Sequence, residues 1–580
     1  KLEIFGQLFV SNLGPRLREI ENPSKNVQKR WAWELIQNAK DTVVSNPEKR
    51  IKIKFSFDKK HMIFQHDGND FTMKQFLAMV YKFSAEKEKQ EGSTGRFGTG
   101  FLTTHIISKK VILRGNLQEG EKLTGFQITL DRSGVKDSEL EQSMKRTEES
   151  KKILKTPNSC TSFEYIYEDR EQFKRVQLGI ENLHKNLPIV LIFTNQINSV
   201  EIHNLETKER VTYALAKRKN HIYTISVTTN GKTTNRRFIV FHGQRISKYV
   251  SEWYELPNEN INVDAVIEID SKNAIINHQA FESIYCIFPL IGCKLALPFI
   301  INCPQFETTL ERDNIFLKKS SSLEVINLDN INYDILKLSL ELYNDIINFC
   351  ISNNISNLAC LAIGLNQNKK KNEYFHAKTF QELFITKARD ILCSFPVFLT
   401  INGYRLLNET KLLKYSNTCT DIDISPKNQS CKDFYNLFRH FYLQSNPIEF
   451  EESFKWNPFL WDELKPVTPL SLIDSISECG SIECLPFDSE ELQIQFINDA
   501  IDYVLKYFDT RLVLVPLIPN QNSKFCKKTP DLHFAHTVNE TVVELIHRIG
   551  VEWRENHVHR KIIQKDYLPT HTIKDAENII

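Results

Sequence analysis

ELIQNAKD, residues 34 to 41, is the stretch on which the reading of this chain turns. It lies inside a longer pattern. From Asn26 to Ser45 the apolar residues Ala32, Leu35, Ile36, Ala39 and Val43 recur at i, i+3, i+4, i+7 and i+11, one stripe of an amphipathic helix. Glu34, Asn38 and Asp41 share the other face, and Pro47 is expected to end the helix. Downstream, Ile51 to Phe57 alternates apolar and polar residues, and Met62 to Gln65 does so again after Asp58-Lys59-Lys60, which predicts a hairpin. HDGNDFT, residues 66 to 72, breaks the second strand, and Thr72 is placed to cap a helix running to about Phe83. A glycine cluster from Gly92 to Gly100 leads into FLTTHIIS, which reads as helical. Strands are predicted at Val111 to Arg114, Gly125 to Leu130 and Thr161 to Tyr167. The charged run from Asp131 to Thr156 reads either as a mobile excursion or as a solvated helix. Helices mixed with antiparallel strands in this order indicate an α+β sandwich rather than a parallel doubly wound sheet.

The remainder divides into two further parts. A helix at about Glu171 to Lys185 opens a unit with strands expected at Ile189 to Phe193, Ser199 to His203, Ile222 to Thr228 and Arg237 to Phe241, closing near Phe316. An apolar helical stretch then runs through Cys350. Lys369-Lys370-Lys371 marks an exposed loop, and a mixed α/β region extends from Phe380 to about Ile563. The predicted domains are therefore residues 1–169, 170–325 and 326–580, in keeping with the length of 580 residues. A net charge of +2 gives the whole chain no drive toward nucleic acid or an anionic membrane, so such a partner would need a local patch. No apolar run approaches the ~20 residues of a membrane span, and the chain reads as cytoplasmic. Twelve scattered cysteines suit reduced thiols. Only Cys479 and Cys484 lie close together, so no metal cluster is expected, and His557 and His559 read as solvated.

Chemistry concentrates near the first helix. A carboxylate and an amide one turn apart can divide the work of nucleotide hydrolysis, with Glu34 deprotonating a water and Asn38 offering an oxygen to a magnesium ion on the phosphates. The glycines of GRFGTGF, residues 95 to 101, let backbone approach phosphate oxygens, and a helix starting near Phe101 would turn its positive end to the same anion. Either piece alone is common. In this order, separated by a hairpin and an Asp-Gly turn, they become specific.

ELIQNAKD resembles the Glu-x-x-x-Asn-Ala-x-Asp helix of the gyrase, heat-shock-ninety, histidine-kinase and MutL (GHKL, or Bergerat-fold) superfamily. GRFGTGF resembles the lid hinge of its chaperone and sacsin-like branches. The resemblance covers about the first 170 residues strongly and residues 171 to 317 more loosely. It implies an ATP-binding domain with Glu34 as general base, Asn38 as magnesium ligand and Asp41 on the nucleotide side. Gly95, Arg96, Phe97, Gly98, Thr99, Gly100 and Phe101 would form the hinge of a lid spanning roughly residues 71 to 94, and Thr161 would stand near the adenine. At the adenine end the chain departs from the usual Asp-x-Gly-x-Gly. Here it has His66-Asp67-Gly68-Asn69-Asp70, with His66 in the adenine-reading column and Asp70 in place of the second glycine. An acceptor-only carboxylate suits the adenine amino group, which favours Asp67 after a one-residue shift.

CIFPLIGCKLALPFIINCPQFETTLERDNIF, residues 286 to 316, is similar to the end of the second domain in bacterial sacsin-like and heat-shock-ninety-like proteins, which implies that Arg312 reaches the terminal phosphate. LVLVPLIPNQNSKF, residues 512 to 525, reads as a buried strand followed by a turn. The implied activity is magnesium-dependent ATP hydrolysis driving a conformational switch. Its partner would be a protein client, as for a chaperone, or the other components of a bacterial antiviral defence system. Two copies would associate on ATP, as is common in the superfamily. A nucleotide-sensing scaffold without turnover and a MutL- or gyrase-like DNA clamp are the alternatives, so nucleic acid is not excluded as a partner.

Overall fold

The predicted apolar stripe forms helix α1, Val27–Asp41, with Ala32, Leu35, Ile36 and Ala39 buried. Burial extends beyond the stripe to Trp31, Trp33, Glu34, Gln37 and Lys40, so the helix is enclosed on nearly every side. The computed structural model describes residues 23–46, 48–81, 100–134, 136–255, 258–277, 281–293, 295–309, 311–317, 328–366, 377–415 and 424–580, with residues 10, 14, 15, 17, 18, 20 and 21 before them. Within these, contacts divide the chain into two compact units: residues 1–356 with 368–388, and residues 357–367 with 389–580.

The first unit is a mixed α/β structure built on one large mixed sheet. Its strands are β1 (Ile51–Phe57), β2 (His61–His66), β3 (Lys110–Glu119), β4 (Lys122–Asp131), β5 (Lys152–Ile153), β6 (Thr161–Ile166), β7 (Ile197–Asn204), β8 (Arg210–Lys219), β9 (Ile222–Thr229), β10 (Lys232–Ile246), β11 (Asn260–Ile269), β12 (Ile284–Cys286), β13 (Phe288–Pro289) and β14 (Ile300–Asn302). Their spatial order is β13-β12-β14-β11-β10-β9-β8-β7-β1-β2-β6-β3-β4-β5. The predicted hairpin is present, with Phe55 opposite Phe64 and Ile53 opposite His66. β7 runs parallel to β1, from Ile51 beside Ile197 to Phe57 beside Asn204. That pairing carries a single sheet across the predicted boundary at residues 169 and 170. The strands at Arg210–Lys219 and Asn260–Ile269 are additional to those the sequence pattern assigned.

The connection from β6 to β7 is one long helix, α2 (Arg170–Phe193), begun by Asp169, whose carboxylate accepts from the Gln172 amide. The strand expected at Ile189–Phe193 is the last part of this helix. Its apolar run is buried on all sides, where periodicity cannot separate a strand from an enclosed helix. α2 packs on α1 at very short range. A Cβ on Gly179 would lie 2.4 Å from Trp31 Nε1, while Trp31 and Trp33 donate through Nε1 to Arg175 O (3.2 Å) and Asn182 Oδ1 (2.8 Å). Both tryptophans are therefore packing residues of the α1–α2 contact. The charged run after β4 resolves into a helix, Asp137–Glu149, that buries Leu140 and Met144. The apolar stretch through Cys350 is a helix, Leu328–Ser352. Thr72 and Gln75 exchange hydrogen bonds at the start of the helix Met73–Tyr81, beyond which the predicted end at Phe83 lies outside the described residues. The same holds for Pro47, Lys369-Lys370-Lys371 and the glycines from Gly92 to Gly98.

The second unit is mainly helical, with long helices at Gln429–Phe441 and Glu490–Tyr507 and two small hairpins. Two expectations are corrected there. Residues 511–514 form a helical turn rather than the start of a strand, exposing Val513 and Leu514, and the strand is confined to Ile518–Pro519. His557 is not solvated: it is buried, stacks on Trp553 at 3.7 Å, donates through Nδ1 to Trp553 O (2.6 Å) and has its Nε2 2.8 Å from His571 Nδ1. A tryptophan one helical turn earlier gives the imidazole an apolar plate to bury against. His559 is half-buried. The described cysteines are free thiols, and among the described residues no helix is long and apolar enough to cross a membrane.

Candidate functional site

Glu34 points from α1 into a cavity of about 20 Å³, lined by Arg30, Trp33, Gln37, Phe288 and Arg312 among others. That volume admits a single water. Glu34 is 6% exposed, and its Oε1 accepts from Arg30 Nε at 3.0 Å and Arg30 Nη2 at 2.8 Å. Arg30 Nη1 also donates to the Glu311 carbonyl at 2.6 Å, and Arg312 Nη1 donates to Gln37 Oε1 at 3.1 Å. The loop carrying Arg312 is thus docked on α1. It closes through Thr309 N to Asn314 O (3.0 Å) and Arg312 N to Thr309 O (2.9 Å), which holds Arg312 at a φ of 48°. A non-glycine residue in the left-handed region costs free energy and persists where surrounding contacts enforce it.

Seven residues along α1, a rise of about 10 Å, a second group of predicted residues meets the helix C-terminus. Gly68 packs so closely that a Cβ there would lie 2.2 Å from Thr42 Oγ1 and 2.9 Å from His66 Nδ1. A side chain there would have to displace Thr42 or His66. His66 ends β2 on the buried face, directly opposite the buried Thr161 of β6, with Phe163 stacked beside it at 6.4 Å. Burial pulls His66 down to about 4, so it is neutral near pH 7. Its Nδ1 accepts from the Gly68 amide at 3.2 Å, which puts the proton on Nε2, and Nε2 has no partner among the described residues.

Asp67 lies elsewhere. It is exposed, and its carboxylate takes the Lys52 amide of β1 at 2.6 Å. Asp70, where the resemblance has a glycine, accepts from Asn116 Nδ2 at 2.9 Å. Between the two ends of α1, Asn38 is half-buried, with no hydrogen bond to its amide among the described residues. Asp41 is paired with the buried Lys40 at 3.2 Å. Gly100 opens a seven-residue 3-10 segment, Gly100–Ile106, rather than an α-helix. Phe101 sits on Phe163 at 5.6 Å beneath the guanidinium of Arg132, 4.9 Å from the ring, and burial brings that guanidinium down to about 10. Gly95, Arg96, Phe97, Gly98 and Thr99 lie outside the described residues.

Glu34, Arg312, Asn38, Asp41, His66, Gly68, Thr161 and Phe101 thus all belong to the first unit, with Glu34 and Arg312 at one cavity and His66, Gly68 and Thr161 at the other end of α1. Arg30 and Gln37 are additional to the residues singled out from sequence. Arg30 carries a faint signal, being four residues before Glu34, the spacing of a helical ion pair. Among the described residues no group of three or more His, Cys, Asp or Glu side chains could hold a metal ion. No protein-family model matches the chain, and no curated protein matches it.

Proposed function

We propose that this chain is a magnesium-dependent ATP-binding and ATP-hydrolysing conformational switch with a Bergerat-type nucleotide domain. It would act on a macromolecular client or as the ATPase module of a bacterial defence system. The observation that carries the reading is the meeting of Glu34 and Arg312 at one water-sized cavity, although Arg312 and its partner Gln37 are 275 residues apart.

In this reading Glu34 takes a proton from a water held in the cavity as that water attacks the terminal phosphate. Arg312 contributes a fixed positive charge where negative charge develops on the transferring group. Trp33 and Phe288 line one part of the cavity and limit it to about one water, so these charges act with little solvent around them. The Asn38 amide oxygen, unengaged among the described residues, suits an ion whose other ligands are phosphate oxygens and waters. Magnesium, when bound with the nucleotide, would neutralise phosphate charge.

At the far end of α1 the reading takes His66 rather than Asp67 as the group that reads the base. The Asp67 carboxylate is committed to Lys52 N, whereas the buried His66 carries Nε2–H and stands opposite Thr161 in the sheet. A donor there matches the unprotonated ring nitrogen N1 of adenine and opposes the N1–H of guanine. Equilibrium binding of ATP and GTP with magnesium, by calorimetry, tests the reading. ATP should bind more tightly than GTP, and the absence of adenine-nucleotide binding would sink it.

A further inference from the structure

Resting on the ATPase reading above, we propose that Arg30 is a positioning residue that ties the orientation of Glu34 to the docking of the Arg312 loop. One guanidinium spans both. Its Nε and Nη2 hold Glu34 Oε1, and its Nη1 holds the carbonyl of Glu311, the residue next to Arg312. Glu34 Oε2 accepts no hydrogen bond among the described residues and is left for the water of the cavity. The planar fork has fixed angles between its donors, so the carbonyl and the carboxylate cannot move independently while both are bound. Displacement of the loop therefore pulls the guanidinium off the carboxylate, and the base loses its orientation together with the cation. The pair is largely enclosed, with side-chain exposures of 19% for Arg30 and 7% for Glu34. An enclosed ion pair is costly to break on one side, which makes the docked state discrete.

A plain helical ion pair is the alternative. It would lower stability when removed and leave the chemistry at saturating ATP untouched. The full chain is assayed with Arg30→Ala and Arg30→Lys, alone and combined with Arg312→Ala. Coupling predicts that Arg30→Ala lowers kcat by about 10- to 100-fold, with the Kd for ATP within about twofold. Arg30→Lys should fall between, because an ammonium reaches one partner but not both. Once Arg312 is gone, adding Arg30→Ala should cost much less than it does alone. In ligand-free protein, amide exchange over residues 311–317 should speed up in Arg30→Ala. Unchanged exchange there, or a kcat held at wild-type level, would overturn the proposal. A wild type that turns over no ATP would defeat the ATPase reading, and the exchange measurement would still decide whether Arg30 holds the loop.

Discussion

Arg312 Nη1 donates to Gln37 Oε1 at 3.1 Å, one turn along α1 from Glu34, so a loop closing the sheet of the first unit contributes its cation to the face of its first long helix. Arg312→Ala is predicted to lower kcat for ATP hydrolysis by about 100-fold or more, with a smaller loss for Gln37→Ala, which leaves the cation present but removes one of the contacts that aim it. Steady-state kinetics at saturating ATP distinguish the two. Equal, small effects would mean that Arg312 is a surface cation with a neighbour.

The base-reading assignment separates two adjacent residues. His66→Ala should weaken ATP binding by about tenfold, the scale of one lost buried hydrogen bond, and narrow the preference over GTP. Asp67→Asn should leave both affinities within about twofold, since its carboxylate faces Lys52 N. Calorimetric titration of each variant reads this directly. The opposite ranking would return the role to Asp67.

Gly179 offers a test of the packing that positions α1. Glycine to alanine inside a helix ordinarily stabilises by about 1 kcal/mol, but a Cβ at this position would lie 2.4 to 2.6 Å from three atoms of the Trp31 ring. The clash decides the sign. Gly179→Ala should destabilise the first unit by about 1–3 kcal/mol, seen as a lower urea midpoint, and it should reduce hydrolysis because Glu34 and Asn38 ride on the same helix.

The second unit carries its own pH dependence. Burial pulls His557 from the ordinary 6.5 down to about 4, so between those values the unfolded chain takes up a proton that the folded chain refuses. The stabilising contribution is complete above about pH 6.5, is lost as pH falls toward about 4, and changes no further below that. His557→Gln should flatten this part of the profile. The difference in urea midpoint between wild type and variant, followed from pH 7 to pH 4, isolates the contribution from those of His66 and His105, which burial shifts in the same direction.

Much of the first unit was legible because its periodicities are undisturbed. The Ala32-to-Val43 stripe yields α1, and the two alternating runs yield β1 and β2. Ile189–Phe193 was misread because the end of α2 is enclosed on all sides, leaving no polar face to mark a helical period. His557 was misread because its polar sequence neighbours hide the stacking partner at Trp553. Glu34 and Arg312 were legible as residues, but their meeting was not, and neither were the roles of Arg30 and Gln37. Those depend on a loop whose approach to α1 is set by the order of strands from β7 to β14, a long-range property that local pattern does not carry.

The central claim is that Glu34 and Arg312 share one hydrolytic site. Its most direct test is magnesium-dependent ATP hydrolysis by wild type and Glu34→Gln, with ATP binding measured on both. The account predicts turnover by wild type and, in the variant, retained binding with kcat reduced by about 100- to 10,000-fold. Equal turnover by the two proteins would contradict it, because the carboxylate at the cavity would then take no part in the chemistry.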